Sequence, residues 1–136
     1  MTTQVILPRI PSQLIRLALA DLKKVEAMPD KYKVEMWEWH EPTISKKCVV
    51  CLAGSVMACT LNMNINKSYG PSDFPENAVQ LFVLDCFRNG NICAGLWRLG
   101  IDIEYENRTI CYYDRSPANF HADMNNLADD LEKDGL

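Results

Sequence analysis

Cys48-Val-Val-Cys51 is the spacing in this chain that most directly suggests chemistry, because a Cys-x-x-Cys pair can grip zinc or cycle between thiol and disulfide. Neither use is well supported by its surroundings. A zinc site needs a second pair of ligands, yet Cys86 and Cys93 are separated by six residues that include a helix end, and His40 and His121 are isolated. A redox pair needs a thioredoxin-like setting, and no strand-helix-strand pattern precedes Cys48. The expectation is that Cys48, Cys51 and Cys59 are buried, reduced and metal-free, with thiols acting as small apolar groups. No catalytic residue is assigned, no cofactor is expected, and the protein is read as a binder more than an enzyme. An enzyme built on Cys48, Cys51 and His40 ranks third among the readings. His121, beside Asp123 near the start of an acidic helix, is expected at the surface, whereas His40 at a strand end could line a pocket.

Two other sets of side chains can recognise a partner. The chain carries 14 Lys and Arg against 18 Asp and Glu, a net charge of -4. Residues 1–100 hold 11 basic and 9 acidic groups, whereas residues 101–136 hold 3 and 9. The acidic character therefore sits in the last quarter. Asp102, Glu104, Glu106, Asp123, Asp129, Asp130, Glu132 and Asp134 form a candidate surface for a basic partner, where carboxylates imitate phosphate charge. Direct nucleic-acid binding is not expected, because no basic stripe is present to neutralise phosphates. The second set is Trp37, Trp39 and Trp97 with Arg88, Arg98 and Arg108. Indole rings stack on planar ligands and guanidinium groups hold phosphate, so this set suits a small nucleotide-like ligand.

These residues must be positioned by ordinary globular elements. With 136 residues, 48% hydrophobic and 24% charged, the chain is read as a single domain over 1–136. It contains no apolar run of about 18 residues that would span a membrane. The start MTTQVILPRIPSQ lacks the pattern of a signal peptide, so a cytoplasmic setting with reduced thiols is expected. Residues 2–7 read as an edge strand or a pinned arm. Pro11-Ser12 opens a helix to about Met28, with Leu14, Ala18, Leu22 and Val25 at helical spacing. Tyr32, Val34 and Met36 alternate with charged residues in a strand over 31–39, and Trp37 and Trp39 occupy its other face. The nearly uncharged run from Lys46 to Asn62 reads as a buried helix with Cys48, Cys51, Ser55 and Cys59 on one stripe. Asp73 starts a helix that ends at about Arg88, and Asn91 caps a shorter one closed by Gly100. Ile101–Tyr105 and Arg108–Tyr113 read as a hairpin. Ser116-Pro117 then enters a final helix whose Phe120, Met124, Leu127 and Leu131 recur on one face. The fold class is α+β: a small antiparallel sheet of three or more strands packed against four or five helices.

Trp37-Glu38-Trp39, CVVCLAGSVMACTL, the Ser-Asp-Phe-Pro loop and VLDCFRNGNICAGLWRLG together resemble a family of small uncharacterised proteins of tailed phages and prophages. These join a Cys-x-x-Cys-Leu-Ala-Gly segment to a Leu-Asp-x-x-Arg-x-Gly segment. The resemblance covers roughly residues 34–100 and carries over no catalytic residue. It implies a bacterial cytoplasm during infection, where small proteins without enzyme motifs bind and block host machinery. The leading expectation is thus a non-enzymatic inhibitor or modulator of a host protein or complex, such as a CRISPR-type defence complex. The runner-up is a binder or sponge for a nucleotide signal.

Overall fold

The computed structural model describes residues 4–136. Its elements run α1 (Pro11–Glu26), β1 (Tyr32–Val34), β2 (His40–Pro42), β3 (Cys48–Val50), α2 (Leu52–Ala58), a single 3-10 turn at Pro71–Asp73, α3 (Ala78–Arg88), α4 (Ile92–Arg98) and α5 (Pro117–Lys133). The fold is α+β, a small sheet packed against five helices. No helix among the described residues is long and apolar enough to cross a membrane.

α1 is the central helix. Leu14, Ile15, Ala18, Leu19, Leu22 and Val25 form its buried face, and α5, α2, β1 and α3 all pack against it. α5 brings the expected stripe of Phe120, Met124, Leu127 and Leu131, each buried. Full burial of such side chains stabilises by about 1.5–3 kcal/mol apiece before chain entropy is subtracted. The start of α5 follows from its sequence: Pro117 fits the first turn, and Ser116 Oγ accepts from the Asn119 N–H at 3.2 Å. Polar ties fix α5 to α1 at both ends. Arg16 bonds Asp129 at 2.9 Å and Glu132 at 2.7 Å, and the Glu26 carboxylate receives both His121 Nε2, at 3.0 Å, and the Tyr113 hydroxyl. His121 is therefore half-buried, not the surface residue its acidic neighbours suggest. Burial, followed by the bond to Glu26, pushes the Tyr113 phenol well above its ordinary pKa. Asp21, also on α1, is buried and accepts from the backbone N–H of Thr60 at 3.2 Å and from its hydroxyl. Desolvation raises its pKa despite those bonds.

The sheet order is β1-β3-β2. It is mixed, not antiparallel: β3 runs parallel to β1 (Tyr32 opposite Cys48) and antiparallel to β2 (His40 opposite Val50). The sequence segment expected to be one helix over 46–62 is split between β3 and α2. Cys48, Val49 and Val50 are all buried, so the strand shows no alternation. A fully covered strand reads as a continuous apolar run, and periodicity cannot separate it from a buried helix. The three cysteines consequently do not share a helical stripe. Cys48 lies in β3, Cys51 is the N-cap of α2 with its sulfur accepting from the Gly54 N–H at 3.3 Å, and Cys59 is the half-buried C-cap. Strand β1 is also shorter than expected and leaves Trp37 and Trp39 in the loop beyond it.

Two further expectations are corrected. Residues 101–113 form no hairpin: between turns at 99–100 and 113–115, the segment is an irregular strap with no ladder of its own. Helix ends and side chains take the partner strand's place. Ile101 N–H donates to Leu96 O at 3.0 Å, Arg108 N–H to Gly90 O at 3.1 Å, and Cys111 N–H to Asp123 Oδ2 at 2.8 Å. Asp73 ends the 3-10 turn, and α3 begins five residues later at Ala78. Of the arm expected over 2–7, residues 2 and 3 lie outside the described residues. The remainder is pinned, not paired in a sheet. The buried Asn77 accepts from Leu7 N–H at 2.7 Å and donates to Val5 O at 2.8 Å, while Gln80 donates to Leu7 O at 3.1 Å. Two amide side chains thus satisfy backbone groups that a neighbouring strand would otherwise serve.

Candidate functional site

The strap over 99–116 crosses the ends of α3 and α5 and forms a wall of two clefts. The first has a volume of about 750 Å³ and is lined by Ile103, Glu104, Tyr105, Glu106, Arg108, Asp130 and Asp134, with Asn107 and Leu136. The second, of about 520 Å³, is lined by Arg88, Arg108, Arg115, Tyr112, Asn119 and Asp123 among others. Arg108 belongs to both, and its Nη1 bonds Asp130 at 3.0 Å.

The eight acidic candidates divide into two groups. Four have internal work. Asp123 holds the Cys111 N–H, Asp129 and Glu132 hold Arg16, and Asp130 holds Arg108. Asp102, Glu104, Glu106 and Asp134 make no ion pair among the described residues. Three of these, Glu104, Glu106 and Asp134, converge on the first cleft, together with the paired Asp130. Its lining is partly apolar. Ile103 is 46% exposed, and burial, reinforced by the adjacent Asp134, pushes the Tyr105 phenol up. Arg16, Ile103, Tyr105 and Leu136 were absent from the candidates read in the sequence. The alternation Ile103-Glu104-Tyr105-Glu106 is the sequence signal for the cleft residues, and it reads equally as one strand of a hairpin. Arg16 lies 113 residues from Asp129, so no local pattern announces that pair.

The aromatic and arginine candidates separate in the same way. Arg88 and Arg108 meet in the second cleft, and Trp37 lines a hollow of about 180 Å³ beside it that shares Arg88, Cys111 and Tyr112. Trp39 and Arg98 belong elsewhere. Arg98 lies over the Phe82 ring at 5.3 Å, and Trp39 meets the same ring edge-on at 5.8 Å. Trp97 is 71% exposed on α4 and lines none of these clefts. Arg115 and Tyr112 complete the second cleft and were not singled out in the sequence.

Of the groups proposed for an enzyme, Cys48 and His40 do come together. The Cys48 sulfur is 3.6 Å from His40 Nδ1 and 3.7 Å from Nε2. Their electrostatics are wrong for a nucleophile. Burial pushes both the Cys48 and Cys51 thiols up to about 11, and burial lowers the His40 pKa. Both partners are thus held neutral, whereas a reactive thiolate needs a cationic or polar setting. His40 is 1% exposed and lines neither of the two clefts nor the hollow. Its Nδ1–H donates to Lys67 O at 2.9 Å, and its ring meets Tyr69 edge-on. It ties β2 to the loop that follows α2. Among the described residues, no group of three or more His, Cys, Asp or Glu side chains is arranged to hold a metal ion.

Thiol labelling tests this assignment. All six cysteines are free, but only Cys93 is exposed. Cys93 is expected to react first with an aromatic disulfide at neutral pH. Cys48 and Cys51 are expected to react only after denaturation, since both burial and a raised pKa suppress the thiolate. Fast native labelling of either, located by peptide mapping, would overturn their place in the core. No family model matches the chain, and no curated protein or solved structure matches it.

Proposed function

We propose that this is a non-enzymatic binding protein that inhibits or modulates another protein by taking a basic, partly apolar segment of it into the first cleft. The observation that carries this reading is the convergence of Glu104, Glu106 and Asp134, none of them in an ion pair among the described residues, around Ile103 and Tyr105 in a cleft of about 750 Å³ whose arginine, Arg108, is engaged by Asp130. The carboxylates steer and orient a cationic partner, and the apolar side chains beside them supply affinity once water is displaced. A Lys or Arg side chain with its methylene stem matches both features. The surface is narrower than a phosphate-mimicking row of eight, because Asp129 and Glu132 both engage Arg16, which offsets one of their two charges. The resemblance to phage and prophage proteins supports a host protein of an infected or lysogenic bacterium as the target, a defence complex included. The buried, neutral state of Cys48 and His40 supports binding over catalysis.

The test is retention of bacterial proteins on the immobilised chain at low and high salt, with Glu104→Lys/Glu106→Lys as the comparison. Both positions are exposed, so the double variant is expected to fold. The wild type is expected to retain a discrete partner at low salt and release it as salt screens the charges. The double variant is expected to lose it. Equal retention by the two proteins would remove the cleft from the function.

A further inference from the structure

The second cleft and its side hollow have the chemistry of a different ligand. We propose that they form a binding site for a nucleoside monophosphate, with phosphate held by Arg88, Arg108 and Arg115 and the base placed against Trp37 and Tyr112. The arginines approach from separate parts of the chain: Arg88 ends α3, and the other two lie on the strap. Two are held in place by groups that leave donors free. Arg88 gives Nε to Asp85 at 2.8 Å and Nη1 to Asn89 Oδ1 at 3.1 Å, which leaves Nη2. Arg108 gives Nη1 to Asp130 at 3.0 Å. Arg115 makes no ion pair among the described residues and keeps its whole fork. Planar guanidinium forks with fixed orientation suit the oxygens of a phosphate monoester.

The carboxylates in the vicinity do not close the site. Asp123 lines the cleft and keeps its charge, with its Oδ2 oriented by the Cys111 N–H at 2.8 Å. Asp114 lines the hollow together with Arg88 and does not line the main cleft. Asp85 and Asp130 each engage one edge of an arginine and thereby aim the rest. The ring end is independently suggestive. Trp37 is 62% exposed and Tyr112 79% exposed, and large aromatic surfaces left in water beside a cleft are what a planar base covers. The cleft and hollow, about 520 and 180 Å³, lie side by side and share Arg88, Cys111 and Tyr112 as lining. The cleft alone falls within the usual range for small-ligand sites, ~300–1,000 Å³.

This site shares Arg108 with the acidic cleft, and Arg115 separates the two, because it lines the second cleft and not the first. The experiment titrates the full chain with adenosine 5′-monophosphate at low salt, read by calorimetry and by tryptophan fluorescence. Parallel titrations use adenosine and inorganic phosphate. Saturable binding of the monophosphate is expected, with each fragment weaker by about tenfold or more. Arg115→Ala is expected to weaken the monophosphate by about tenfold, Arg115→Lys by less, with protein retention at the acidic cleft unchanged. Trp37→Phe is expected to keep a ring surface and most of the affinity while losing the fluorescence response. Absence of saturable binding by adenosine, guanosine, cytidine and uridine monophosphates would overturn the proposal. So would equal affinity in Arg115→Ala, or inorganic phosphate binding as well as the nucleotides.

Discussion

Replacing Gly54 by alanine is expected to destabilise the protein by about 3 kcal/mol or more, the upper range for overpacking. A Cβ at Gly54 would lie 1.5 Å from the Trp39 carbonyl oxygen and 3.1 Å from Val50 Cβ. Neither neighbour can give way cheaply. Trp39 O accepts from Cys51 N–H at 3.4 Å, and Val50 sits in the middle strand, bonded on both sides. The methyl group must push α2 off the sheet, although alanine is the better helix former. Urea denaturation reads the effect as a fall in midpoint. A loss below about 1 kcal/mol would mean that α2 slides freely over the sheet, contrary to the close approach described here.

Gly90→Ala is expected to cost about 2–4 kcal/mol and to disturb both clefts at once. Gly90 follows α3 with φ +79°, and its added Cβ would meet the Arg108 carbonyl oxygen at 1.9 Å. The same residue accepts the Arg108 N–H at 3.1 Å, so the strap is tied down at the point where the new methyl would intrude. Gly100→Ala is the control. It has φ +81° but nothing within 4 Å of the added atom, so only the left-handed penalty of roughly 1–2 kcal/mol applies. The difference between the two variants, measured by chemical denaturation, isolates the contact with the strap. Equal losses would show that the strap moves aside without resistance.

The helices were the legible part of the fold, because their signals are local. Pro11, Ser116-Pro117 and the stripe from Phe120 to Leu131 locate α1 and α5 without knowledge of what they touch. The sheet was not legible to the same degree. Val49 and Val50 are good strand formers, but an apolar run of helical length outweighed them, and the parallel pairing of β1 with β3 has no signal in either strand. Alternation at Ile101, Ile103 and Tyr105 was real, yet it reflects a strap lying along helix ends, not a strand with a partner. The candidate site shows the same boundary. Glu104 and Glu106 reach one cleft as neighbours in sequence, whereas Asp129 and Glu132 are withdrawn by an arginine from the other end of the chain. Arg88 and Arg108 meet, but Arg98, which looks equivalent in sequence, faces Phe82 instead.

The Arg108–Asp130 pair has a consequence for genetics. Because Arg108 faces both clefts, losing it removes a cation from one and leaves an unpaired carboxylate in the other. Arg108 is therefore a pleiotropic position, and its phenotype cannot be ascribed to either cleft alone. Combined with a change at Asp130 or at the floor of either cleft, it falls in the regime where double-mutant effects are epistatic, not additive. Alleles at Glu104 and Arg115, one on each side of the pair, are the ones that separate the two surfaces.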